Sequence, residues 1–168
     1  MTTFYAQPYD ISATGFYFED KETFEKKITS IRNDCGDPVE EFEIQFIDGE
    51  MIDAELCKAL GLYQPNIVKV MECLEEWDDG QKRNVIIAVG ECGYSFEVET
   101  GDPDGFDIDL YEVDSMKELA EQFVDEGLFG DIPSSIQFYI DYEAIARDLA
   151  CDYSEITIDW QRYIYRCL

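Results

Sequence analysis

Glu41-Phe42-Glu43-Ile44-Gln45-Phe46 decides the fold class of this chain. Its apolar and polar residues alternate with a period of two. That predicts a strand with Phe42, Ile44 and Phe46 on an inner face and the carboxylates of Glu41 and Glu43 on the outer one. On the N-terminal side, Phe24, Ile28 and Ile31 recur at helical spacing after a capping residue, Asp20, and Asn33-Asp34-Cys35-Gly36 closes the helix. Further back, residues 4–8 and 15–19 predict two short strands around a polar turn. Strands around a single helix make residues 1–53 a small α+β domain.

Towards the C-terminus the pattern changes. Asn66 caps a helix marked by Ile67, Val70, Met71, Leu74 and Trp77, with Glu75 and Glu76 off that face. Asp78-Asp79-Gly80 breaks the chain, and Gln81 to Cys92 forms a second helix that packs Trp77 against Val85 and Val89. Residues 54–104 are therefore a mainly helical middle domain. Phe96-Glu97-Val98-Glu99 alternates like a strand, but Gly101-Asp102-Pro103-Asp104-Gly105 is turn chemistry and marks a boundary. Residues 105–168 return to α+β. Phe106, Ile108 and Leu110 alternate with Asp107, Asp109 and Tyr111. Ser115-x-x-Glu118 is a capping box, and Gly127 stops the helix it opens. Pro133 opens a further helical stretch, Asp141 caps Ile145 and Leu149, and residues 155–158 and 161–166 form a hairpin around Asp159-Trp160. The expected fold class is α+β: an elongated chain of three small domains with a highly acidic surface.

The 168 residues include 39 acids, 12 bases and no histidine, for a net charge of −27. The absence of histidine removes imidazole bases and imidazole metal ligands. The charge opposes direct binding to nucleic acid or to an anionic membrane, because phosphates are repelled. A 46% hydrophobic composition is too apolar for a disordered acidic tail. No signal peptide or membrane-spanning run is present in the sequence, so a cytoplasmic location is expected. In that compartment the six cysteines are expected to be small buried hydrophobes.

The negative charge belongs to the folded elements. Residues 101–150 alone carry 14 acids and 2 bases. In the helix after Ser115, Met116, Leu119, Ala120 and Phe123 fall on one side, and Glu118, Glu121 and Asp125 on the other. Like charges one turn apart are mutually destabilising, and the only base nearby, Lys117, lies off that stripe. High solubility is the bland reading of such a surface. The sharper one is imitation of another polyanion. Duplex DNA carries one charge per ~1.7 Å, so this net charge matches roughly 46 Å of duplex and a dimer's roughly 90 Å. A compact sphere of this length has a radius of gyration of only about 15 Å, which calls for an elongated molecule.

Glu126-Gly127-Leu128-Phe129-Gly130-Asp131-Ile132-Pro133, followed by Tyr139-Ile140-Asp141-Tyr142-Glu143-Ala144 and Arg147-Asp148-Leu149, resembles the antirestriction motif of the ArdA proteins. Length, acidity and the order of elements resemble that family over most of the chain. The resemblance implies an antirestriction protein of mobile genetic elements. Such a protein acts as a B-form DNA mimic, occupying the DNA-binding groove of type I restriction–modification enzymes and blocking DNA binding and cleavage, with methylation as a further target. It implies three small domains in a curved arrangement, a homodimer, and a motif near the dimer contact. Tyr139, Ile140, Tyr142 and Ile145 then become candidates for that contact. Glu126, Asp131, Asp141, Glu143 and Asp148 are the motif's acids. With Glu41, Glu43, Glu75, Glu76, Asp107, Asp109, Glu118, Glu121 and Asp125 they form the candidate DNA-mimic carboxylates. No catalysis, cofactor or metal is implied.

Asp102, Asp104, Asp107 and Asp109 invite a calcium loop, but glycine and glutamate do not fall where an EF-hand needs them. With this many acids, a carboxylate pair carries no catalytic signal. Arg147 and Glu143 have the spacing of an ordinary helical ion pair. The alternative function is an acidic inhibitor or sequestering partner of another basic DNA-binding protein, such as a nucleoid protein or a nuclease.

Overall fold

The computed structural model describes residues 1–168 and divides into two compact units, Met1–Phe106 and Asp107–Leu168. The protein is mixed α+β, with six α-helices and two small antiparallel sheets.

In the first unit, β1 (Thr3–Pro8) lies between β2 (Phe16–Phe18) and β3 (Phe42–Asp48). The expected alternation holds: Phe4, Ala6, Phe16, Phe18, Phe42 and Ile44 are buried. Phe24 of α1 (Lys21–Ile28) covers this face, its ring 4.8 Å from that of Phe18. Asp20 caps α1 by accepting from the Thr23 N–H. The helix ends at Ile28, not at the turn around Gly36. Thr29 and Ser30 turn their hydroxyls back onto helix carbonyls, and residues 31–39 form a loop closed by an Arg32–Pro38 bridge. The outer face of the sheet is less acidic than the pattern implied. Glu43 shares it with Tyr5, Tyr17 and Gln45, and the Tyr5 and Tyr17 rings lie 4.7 Å apart.

The helical part contains α2 (Met51–Leu60), α3 (Ile67–Glu76) and α4 (Asp79–Val85), which continues as a π-helical turn over Ile86–Glu91. Helix α2 was not foreseen; it straddles residue 53 and buries Ile52, Leu56 and Cys57. It packs on α4 and the π turn, so the expected α3–α4 hairpin is not the main contact. Trp77 meets Phe96 edge-on. The Asp78-Asp79-Gly80 break is tighter than expected: Asp78 and Gln81 form a reciprocal capping box, and α4 starts at once. Asn66 is a helix-start residue by position, but its amide bonds Tyr63 N–H and the Gly61 carbonyl instead of capping. The 96–99 stretch is not a strand. Phe96 turns inward between Trp77 and Phe106, and Val98 is buried.

The second unit has β6 (Gln161–Cys167) between β4 (Ile108–Tyr111) and β5 (Ser154–Ile158). Helices α5 (Met116–Asp125) and α6 (Tyr142–Leu149) pack on each other, and Leu119, Phe123 and Leu149 meet Ile164 of the sheet. Its core is Val113, Leu119, Phe123, Tyr153 and Ile164, extended by Tyr111, Met116 and Leu149. The stretch after Pro133 is not a helix of any length. It makes one turn at Pro133–Ile136 and one 3-10 turn at Gln137–Tyr139. Nothing covers an apolar face there: Ile136, Phe138 and Tyr139 are all exposed. No helix is long and apolar enough to cross a membrane.

Candidate functional site

Helix α5 shows how the sequence places carboxylates. Ser115 accepts from the Glu118 N–H, which starts the helix at Met116. Leu119, Ala120 and Phe123 are then buried, which turns Glu118, Glu121 and Asp125 to solvent. The expected capping box is only half formed: the Glu118 side chain accepts from the Asp114 N–H at 2.8 Å, one residue before the Ser115 N–H that a capping box would use. The helix closes with Leu128 N–H on the Phe123 carbonyl and Gly127 N–H on that of Val124. That pair of hydrogen bonds needs the left-handed φ of +79° at Gly127. Asp125 and Glu126 sit in this last turn with no basic residue. Negative side chains at a helix C-terminus oppose the backbone dipole. Glu75 and Glu76 do the same at the end of α3. Two helices thus carry charge where it weakens them.

Among the carboxylates singled out from sequence, all are exposed except Asp109. Asp109 faces Arg166 across the β4–β6 ladder and accepts from its Nε at 3.0 Å, while the Arg166 guanidinium lies over the Tyr153 ring. This charge is cancelled inside the molecule. The cause is register: residues 109 and 111 share the face on which Tyr111 packs against Phe123 and Tyr153. Glu143 pairs with Lys117 at 3.3 Å, linking α6 to α5. The i,i+4 pairing of Glu143 with Arg147 is therefore replaced by one between helices. Asp141 caps α6 by accepting from the Ala144 N–H, and Glu126 accepts from Gln122. Glu41, Glu43, Glu75, Glu76, Asp107, Glu121, Asp125, Asp131 and Asp148 extend from the surface.

The bases are largely used internally. Lys21, Lys69, Lys82, Lys117 and Arg166 are in ion pairs with acids of the chain. Lys27, Arg32 and Arg162 donate to backbone carbonyls. Lys82 and Asp53 are the buried pair, 2.6 Å apart and 5% and 6% exposed. They form the floor of a cavity of about 420 Å³ whose rim includes Glu19, Asp20, Glu50 and Glu75. Beside them, burial pushes the Cys57 thiol up to about 12, with the Asp53 charge a smaller cause. It is a packed thiol and not a nucleophile. Cys73 is buried too, whereas Cys35, Cys151 and Cys167 are exposed and Cys92 is half-buried, so the expectation of uniformly buried cysteines holds only at Cys57 and Cys73.

The candidate contact residues do not behave alike. Tyr139 is 84% exposed, while Ile140, Tyr142 and Ile145 are half-buried. Around them lie exposed apolar side chains that sequence reasoning passed over: Leu128, Phe129, Ile136 and, at 96%, Phe138. An apolar pair directly after a glycine-ended helix, in so acidic a chain, was the available signal. Residues 12–161 match the family model described as "Antirestriction protein (ArdA)". No curated protein matches the chain.

Proposed function

The chain belongs to the ArdA family of antirestriction proteins, and we propose that it inhibits by imitating B-form DNA in the binding groove of type I restriction–modification enzymes. The observation that supports this most is the helix-end chemistry. Asp125 and Glu126 on α5, and Glu75 and Glu76 on α3, carry charge against the helix dipole. A protein needing only solubility has no reason to place acids there, where they cost about 0.3–1 kcal/mol each. A basic groove evolved for phosphates gains affinity by releasing counterions, and carboxylates can use the same attraction. Because phosphate contacts carry no sequence information, enzymes of every sequence specificity are blocked alike.

The family is one of inhibitors, with restriction enzymes as partners. The finer picture proposed here is cytoplasmic action by a homodimer of three small domains on an elongated frame. Tyr139, Ile140, Tyr142 and Ile145, with Phe138 added, form the contact. Glu118, Asp141 and Glu143 serve the fold first, and Asp109 is withdrawn from the mimic surface by Arg166.

The test is a titration into ATP-dependent cleavage by a type I enzyme, with competing DNA. Inhibition near stoichiometric protein, relieved by excess DNA, is expected. A single change such as Glu121→Gln should leave it nearly intact, because many carboxylates share the work. Abolition by one such change, with the fold intact, would contradict a distributed mimic. The reading as an inhibitor of another basic DNA-binding protein takes over if no type I enzyme responds.

A further inference from the structure

The β5–β6 hairpin closes through two residues, Asp159 and Trp160, with φ of 47° and 67°. Two consecutive left-handed residues make the tight hairpin turn that favours Asn-Gly or Asp-Gly. Glycine is the unstrained choice at the second position, and a tryptophan there is strained. Yet Trp160 is 82% exposed, so the chain covers little of its indole. Its strain is therefore not offset by packing. The turn itself is firmly held, because Ile158, at its base, is buried and pairs with Gln161. A large rigid aromatic is thus presented outward by a fixed turn, beside the exposed carboxylate of Asp159.

We propose that Asp159 and Trp160 act together as a nucleotide-like pair, the carboxylate standing for a phosphate and the indole for a base. The site they enter is a base-stacking pocket flanked by cations on the target enzyme. Proteins that handle DNA bases hold them on aromatic platforms or in snug pockets. The bicyclic indole has a purine's flat shape and a π-face, and such stacking needs no hydrogen-bond readout. Tryptophan is also among the residues that most often anchor interfaces. This inference rests on the reading of the partner given above.

The test compares the full-length protein with Trp160→Gly and Trp160→Phe. Three quantities are measured: affinity for a purified type I enzyme at low and high salt, melting temperature, and oligomeric state by light scattering. Trp160→Gly should melt no lower than the parent, because glycine suits the turn. It should keep the same oligomeric state and bind about 10-fold more weakly, the scale of one stacked base. That factor should be similar at both salt concentrations, since no charge is lost, and Trp160→Phe should lie between. Parent-like binding by Trp160→Gly overturns the pair while leaving the inhibitor reading intact. A change of oligomeric state that accounts for the lost binding also overturns it, and assigns Trp160 to self-association. Failure of the parent itself to bind the enzyme removes both readings.

Discussion

Asp53 and Lys82 show what a single buried pair does in this chain. Both are withdrawn from water, and Thr2 donates to the second carboxylate oxygen at 3.3 Å. Removing one partner leaves an uncompensated charge, at a cost of about 3–5 kcal/mol. Lys82→Met should therefore lower stability by that order in denaturant melts. The double change Asp53→Leu/Lys82→Met should recover much of the loss, and inhibition per folded molecule should be unchanged in both. Neither residue was visible as a pair in the sequence, because they are far apart in the chain and meet only when α2 packs on α4. The same limit explains Asp109. Its alternation with Ile108 and Leu110 was legible, but which face would be covered was not, and Arg166 lies on the neighbouring strand. Local chemistry was readable: the caps at Asp20, Ser115 and Asp141 each form as their side chains require.

At the level of elements, the helix ends set stability against charge. Replacing Asp125 and Glu126 together by lysine puts cations at the C-terminus of α5. That should stabilise the protein by about 0.3–1 kcal/mol per site at low salt, read as a higher melting temperature. The same variant should inhibit less well. A variant both more stable and equally inhibitory would separate these acids from function. Strong alternation and capping residues made β1, β3, α5 and the final hairpin legible. Helix α2 was missed because its apolar residues run straight on from the β3 turn, with no capping side chain at Glu50. The false helix after Pro133 came from apolar residues that face solvent; periodicity assumes a core to face, and here there is none. Much of the resemblance-bearing motif is this exposed segment, which is why its chemistry was recognisable before its conformation was.

For the whole molecule, a net charge of −27 acts in two opposite ways. Carboxylates repel one another within the folded chain and attract a basic partner, and salt screens both. Added sodium chloride should therefore raise the melting temperature while weakening inhibition. A protein that is merely soluble shows only the first effect. Hydrogen bonds from Ser12 hold Asp10, and those from Thr23 hold Asp20, below the usual carboxylate range. Their contribution is present above the ordinary Asp value and is lost as pH falls through the lowered one, so it supports the fold throughout the neutral range.

If phosphate-like charge carries recognition, binding to the enzyme must depend on salt as DNA binding does. Affinity of the protein for a purified type I enzyme would be measured between about 50 and 200 mM salt, alongside a DNA duplex. Affinity should fall steeply and log-linearly, as it does for DNA, and the two ligands should exclude each other. Affinity that is flat across this range, or simultaneous binding of protein and duplex, would contradict DNA mimicry.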